Sequence, residues 1–428
     1  MRRIEEIFVA TWCVAMPMTG TLLLPWVQGT IPPYMLAFGS VVLVFLKIRS
    51  WNVPPTVVRY LVTFSFVFFL WLLLLAGSQL GLAISDRRDF GFVYMVDPGD
   101  FTVVLRSTLF TQSLYLLACV LIALYFRYFF QERWMRYVFW GAYFLAIYGI
   151  YEWLFFLVFR ESGDFLVNRT FFGGHTASWS QLVSFGGIDL LRIKSTMAEP
   201  SVFAAAVIPY LFLAMDRGKV VLSLMLLFTA VFSTSTSCYI ALTACLLIRS
   251  FRTGELRGVY LSLLVFVGVF LCCMDVFYPE SFRDLFQDKF NGYNESGALR
   301  LNDLASVEDL LQTFSPANWI FGVGVGYAYL QVPDALLVNS GLLGLGVFLW
   351  VFIKPAWFLP MTPGYAGLKI GIMGILILCA ISLTEQYIPS TWMFLGLAYY
   401  KLEEYRKSRP KPSFHVLESE TLSEIPTS

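Results

Sequence analysis

The chain has 428 residues, 58% of them hydrophobic and 14% charged, with a formal net charge of +1. Soluble domains are about 45–50% apolar and about 25% charged, so a water-soluble globule of this composition is excluded. The near-neutral balance offers no electrostatic footprint for nucleic acid. The seven cysteines lie in apolar runs without a C-x-x-C pair, which argues against disulfides and thiolate metal centres.

Apolar runs approaching the ~20 residues of a spanning helix recur along the chain. They fall near 7–27, 33–46, 57–80, 102–126, 137–159, 200–215, 219–233, 237–248, 258–277, 335–353, 368–384 and 390–402. The alternation of a membrane β-barrel is absent. The expected class is an all-α polytopic membrane protein with about twelve transmembrane helices over residues 1–402. The opening MRRIEE has no small-residue cleavage site after its apolar run, so it reads as part of a first helix. The end of the chain, 403–428, is basic and then polar with Pro410 and Pro412, and is expected to be a disordered cytoplasmic tail.

Basic residues orient the spans. With the N-terminus inside, Lys47, Arg49, Arg59, Arg127, Arg133, Arg136, Arg217, Lys219 and the basic tail all fall on the cytoplasmic side. Both termini are then cytoplasmic. Three long segments lie outside, at 81–101, 160–199 and 278–334, so work done by loops is expected on the outer face. No internal repeat of the kind that builds alternating-access carriers is visible.

Some basic residues stay outside against this bias. Arg87 and Arg88 sit between Asp86 and Asp89, and Arg169 also reads as a partner for a nearby acid or a headgroup. Arg192 and Lys194, in RIKSTMAEPSVF, precede the apolar run that begins at Pro200. Proline suits the first turn of a helix, which makes Glu199 its expected N-cap. Arg192 has no such local task. Its planar guanidinium suits phosphate in a low-dielectric setting.

These residues carry a resemblance. LRIKSTMAEPSVFAAAVIPYLFL resembles the R-x-x-(G/S)-x-x-x-E-P-S-x-F-A stretch of bacterial O-antigen and exopolysaccharide polymerases of the Wzy type. FSTSTSCYIALTACLLI, SGALRLNDLASVEDLLQTFSPANWIFGVGVG and VNSGLLGLGVFLWVFI resemble the stretches that follow, in the same order over about 185–353. The resemblance implies a glycosyltransferase C-like membrane fold with a large outer-face loop domain. It implies polymerisation of oligosaccharide repeats carried on undecaprenyl diphosphate, at the outer face of the bacterial inner membrane. Catalysis is implied to be inverting, without metal or other cofactor. The implied partners are the lipid-linked oligosaccharide, the bilayer, a chain-length regulator and a flippase.

Carried over, Arg192 and Arg300 match the two arginines that would hold the diphosphate. Fixed cations stabilise a leaving group that gains negative charge. The acceptor hydroxyl also needs a base. Related O-antigen ligases place a histidine before a G-x-x-G turn; here Leu330 stands at that position. Glu199 and Asp334 are the leading candidates for the base, with Glu385 a third. Asp334 also reads as an N-cap for the 335–353 helix. His175 and Tyr327 are expected to contact sugar, and Lys194 to assist binding. GVGVG at 322–326 follows no strand and reads as a turn, not a nucleotide fingerprint. Two alternatives stay open: ligase-type transfer of a finished glycan, and a lipid-linked oligosaccharide flippase or other transporter.

Overall fold

The computed structural model describes residues 2–25, 27–48, 53–84, 107–171, 175–176, 181–185, 188–251, 257–288, 291, 293, 295–328 and 330–408. Each of the twelve apolar segments contributes a helix. They are α1 (Arg2–Ala15), α2 (Pro32–Leu46), α3 (Pro55–Ile84), α4 (Ser107–Phe129), α5 (Met135–Phe159), α6 (Pro200–Asp216), α7 (Val220–Phe232), α8 (Thr236–Ser250) and α9 (Arg257–Phe277). After the short α10 (Pro279–Arg283), α11 (Glu295–Gln312) and α12 (Pro316–Phe321) come α13 (Val332–Phe358), α14 (Ala366–Ile381) and α15 (Pro389–Ser408). Among the described residues, five helical stretches are long and apolar enough to cross a membrane: Pro55–Ile84, Thr108–Phe129, Glu132–Phe159, Tyr260–Phe277 and Val332–Phe358. Helices α2, α6, α7, α8 and α14 are apolar but shorter.

Several expectations are corrected. The run at 7–27 is helical only to Ala15, because Pro17 and Pro25 cannot donate to a helix ladder. Residues 16–25 and 27–31 are turns and irregular backbone instead. The second half of α15 carries Lys401, Glu403, Glu404, Arg406 and Lys407, so only its first half is apolar, and helix continues to Ser408 where a disordered tail was expected. Residues 81–84 belong to α3, and 85–101 lie outside the described residues. The 160–199 segment, expected as an outer loop, contains short strands. It holds two antiparallel hairpins, β1 (Thr170–Phe171) with β2 (His175–Thr176), and β3 (Leu182–Phe185) with β4 (Ile188–Leu191).

Helix α6 lies at the centre. It is apolar on every side, so only a fully buried position satisfies it, and Val202 through Ala214 are all buried. Helix α14 meets it through small residues. A Cβ on Gly371 would lie 2.9 Å from Pro209 Cα, and one on Gly367 would lie 2.5 Å from the Phe212 carbonyl. Glycine lets the two backbones close in on each other, as small residues do between membrane helices.

The two ends of the bundle differ. One end gathers ion pairs from α1, α4, α5 and α15: Lys47 with Glu5, Arg136 with Glu6, Arg127 with Glu403, and Lys401 with Glu132. The start of α1 and the end of α15 share this end. The other end, called the loop face below, gathers the loop at 16–25 and 27–31, the described parts of the 160–199 segment and the 382–388 turn. Gly20 N–H donates to the Thr196 carbonyl at 2.9 Å, and Val332 N–H to the Leu383 carbonyl at 2.8 Å.

Candidate functional site

Three loops converge at the centre of the loop face. The first, 160–171, is pinned where Asn168 binds the Leu22 backbone through both its amide groups (2.6 and 3.1 Å). That anchor presents Arg169. The second, 382–388, bridges α14 and α15 and presents Glu385. The Tyr34 hydroxyl donates to the Tyr387 carbonyl and holds this turn to α2. The third, 192–199, ends at the start of α6 and presents Glu199.

Arg169 Nη1 lies 3.6 Å from Glu385 Oε1, with the two side chains 11% and 14% exposed. The guanidinium also donates to Gln28 Oε1 (3.3 Å) and the Thr19 carbonyl (3.4 Å). Burial pushes the Glu385 carboxyl above its ordinary range. Arg169 opposes that shift, and the negative charge of nearby Glu199 adds to it. Two carboxylates and a guanidinium therefore share one electrostatic environment.

Glu199 is half the cap that the sequence suggested. Its backbone occupies the N-cap position, extended at φ −142° and ψ 155°, with Pro200 following as in the expected pattern. Its side chain caps nothing. It is exposed, and among the described residues it accepts a 3.2 Å hydrogen bond from the Ser201 hydroxyl. The carboxylate is thus turned to the loop face instead of being consumed by the helix end.

Arg192 occupies a neighbouring position over the turn between α7 and α8. Nε donates to Thr234 Oγ1 and Nη2 to the Thr234 carbonyl, each at 3.1 Å, and Nη1 to Gln181 Oε1 at 2.6 Å. Thr234 and Ser195 both hold left-handed backbones, at φ 45° and 54°. Non-glycine residues accept that conformation at a cost of about 1–2 kcal/mol, and only where their surroundings enforce it.

At Ser195 the surroundings are a buried ionic cluster. Lys194 pairs with Asp164 and lies 3.8 Å from Glu152, and all three side chains are at most 2% exposed. Asp164 is further held by the Tyr148 hydroxyl (3.0 Å) and the Val167 N–H (3.0 Å). Glu152 accepts the Ser195 N–H at 3.1 Å, and the Ser195 hydroxyl donates to the Leu145 carbonyl at 2.8 Å. Lys194 is therefore fully occupied in fixing the segment that carries Arg192 and Glu199. Neither Asp164 nor Glu152 was singled out as its partner from the sequence.

The remaining predicted residues are placed differently. Arg300 lies in α11, and its side chain is outside the described ones. His175 opens β2, with its side chain likewise outside. Tyr327 is fully buried among Val307, Leu310 and Val338. Asp334 is half-buried in the first turn of α13, but Gln331 takes the N-cap position, which corrects the cap expected at 334. The GVGVG turn lies against α13, where Val323 N–H donates to the Val338 carbonyl at 2.8 Å and Gly324 N–H to that of Asn339 at 3.1 Å. The sequence offers Arg169 as a partner for a nearby acid or a headgroup and Glu385 as a third candidate base. Their separation of more than two hundred positions hid the pairing.

No protein-family model, no curated protein and no solved structure matches this chain.

Proposed function

We propose that the chain is a membrane glycosyltransferase that polymerises undecaprenyl-diphosphate-linked oligosaccharide repeats, with about twelve spans, both termini in the cytoplasm and the loop face outward. The observation that carries this reading is the Arg169–Glu385 pair on the loop face, with Glu199 near enough for its charge to act on Glu385. Transfer between lipid-linked sugars needs a base for the acceptor hydroxyl and a cation for the departing diphosphate, and this group supplies both.

The chemistry follows from the charges. The acceptor hydroxyl oxygen attacks the anomeric carbon of the growing chain. The bond from that carbon to the diphosphate oxygen breaks, and its electron pair leaves with the diphosphate. The hydroxyl proton passes to Glu385, whose raised affinity for protons fits it to the task. Once neutral, Glu385 no longer balances Arg169, whose charge then faces the diphosphate as negative charge builds there. Glu199, exposed beside it, is the second carboxylate available to orient or relay the proton. Arg192 and Arg300 are assigned to the diphosphate, and Asp334, His175 and Tyr327 stay secondary candidates.

The test is purified protein supplied with the lipid-linked repeat, with products sized on a gel. A ladder of lengths is expected from the native chain. Arg169→Ala, Arg192→Ala and Arg300→Ala are expected to abolish the ladder while the protein stays inserted and monodisperse. Transfer of a finished glycan to a different acceptor, without a ladder, would instead identify ligase chemistry.

A further inference from the structure

Below the loop face, between α3, α4, α13 and α15, runs a cleft of about 310 Å³. Its origin lies in two glycine contacts. The short helix α12 is wedged between α3 and α13, with the Phe321 ring 2.2 Å from where a Gly77 Cβ would be. Helix α13 breaks at Gly341, with φ 64° and ψ −170°, where any Cβ would strike the Ile320 carbonyl. The wedge and the break hold α3 off α13, and the space below stays open.

The wall of this cleft is carbon. Its polar groups are turned into the protein: Thr63 Oγ1 donates to the Arg59 carbonyl (2.9 Å), Tyr399 to the Val351 carbonyl (3.0 Å) and Ser340 to the Leu336 carbonyl (2.7 Å). The Asn339 amide is spent on backbone: its Oδ1 accepts from the Tyr327 and Ala328 N–H groups, and its Nδ2 donates to the Ala328 carbonyl. One end is polar at Gln386 and Tyr387, next to Glu385, and the other ends at Arg127, which is bound to Glu403. Along α3 the cleft runs from Thr63 to Leu74, about 17 Å at ~1.5 Å per residue. One side is open, where Phe66 is 68% exposed.

We propose that this cleft binds the hydrocarbon chain of a membrane lipid whose polar head is delivered to the Arg169–Glu385–Glu199 group. The occupant is a polyprenyl chain, entering sideways from the bilayer past α3. The choice of a polyprenyl chain rests on the function proposed above; the cleft's preference for a single apolar chain rests on its walls alone. Continuity decides the direction: the cleft's only polar end toward the loop face is the turn that carries Glu385.

The test uses the full chain in phospholipid nanodiscs, with a polyprenyl phosphate bearing a diazirine in its chain. A phospholipid with a diazirine in its acyl chain is used in parallel. The polyprenyl probe is expected to label residues of α3, α4, α13 and α15 that line the cleft. Val347→Trp, which fills it, is expected to cut that labelling roughly tenfold, the loss expected from excluding two buried methylenes. Leu70→Trp fills the opposite wall and serves if Val347→Trp fails to fold. Val62→Trp, on the 64% exposed side of α3, is expected to change nothing. Labelling unaffected by either filling variant, or equal labelling by the phospholipid probe, overturns the proposal. Cleft labelling without polymer would leave this site standing and remove the polymerase reading; polymer formed with labelling elsewhere would do the reverse.

Discussion

In the proposed reaction, Glu385 is the residue whose protonation sets the chemistry. Its carboxyl is raised above the ordinary range by burial and by Glu199, and is held down by Arg169. As a base it works only when ionised, so activity is expected to rise with pH through its raised pKa. Arg169→Ala removes the opposing charge, and any residual rate should show that limb at higher pH. Glu385→Gln should lose both the limb and most of the rate, and a pH–rate profile measures both. The stability sign is the reverse. A carboxyl raised in the folded state stabilises it below the unfolded pKa, and that contribution is lost as pH climbs through the folded value. Lys194 makes a second prediction at this scale. Lys194→Met leaves Asp164 and Glu152 buried without their cation, a loss of roughly 3–5 kcal/mol. Thermal unfolding in detergent should show a sharply lowered midpoint, and Asp164→Asn in the same chain should recover part of it.

The elements are held by close backbone approach more than by polar contacts. Helices α6 and α14 touch where a Cβ on Gly371 would sit 2.9 Å from Pro209. Gly371→Val is expected to cost about 1–3 kcal/mol through overpacking, read as a lowered melting temperature with the exposed Gly346→Val as the neutral comparison, since nothing lies within 4 Å of a Cβ there. The strap 192–199 shows how elements position chemistry. Its left-handed Ser195 is fixed from α5 by Glu152 and Leu145, so α5 governs a segment forty residues further along the chain.

Across the whole molecule, charge separates the two ends. The α1 start and the α15 end share one face, rich in ion pairs involving Glu5, Glu132, Lys401 and Glu403. The loop face carries the candidate site. Fluorescent-protein fusions to both termini are expected to fluoresce inside cells, and a cysteine placed at Gln28 to react with an impermeant maleimide from outside. Reaction at Gln28 only after permeabilisation would invert the proposed orientation.

Composition and the recurrence of apolar runs determined the class and the positions of the helices, because burial in lipid demands long apolar stretches that are visible one residue at a time. Pro200 after Glu199 likewise marked the start of α6, since proline's missing N–H is a local property. The tertiary structure alone decided what Glu199 does with its carboxylate, and that Arg169 meets Glu385. It also showed that Lys194 is absorbed by Asp164 and Glu152. Those are contacts between distant segments, and a pairing energy belongs to neither residue until the chain has folded them together.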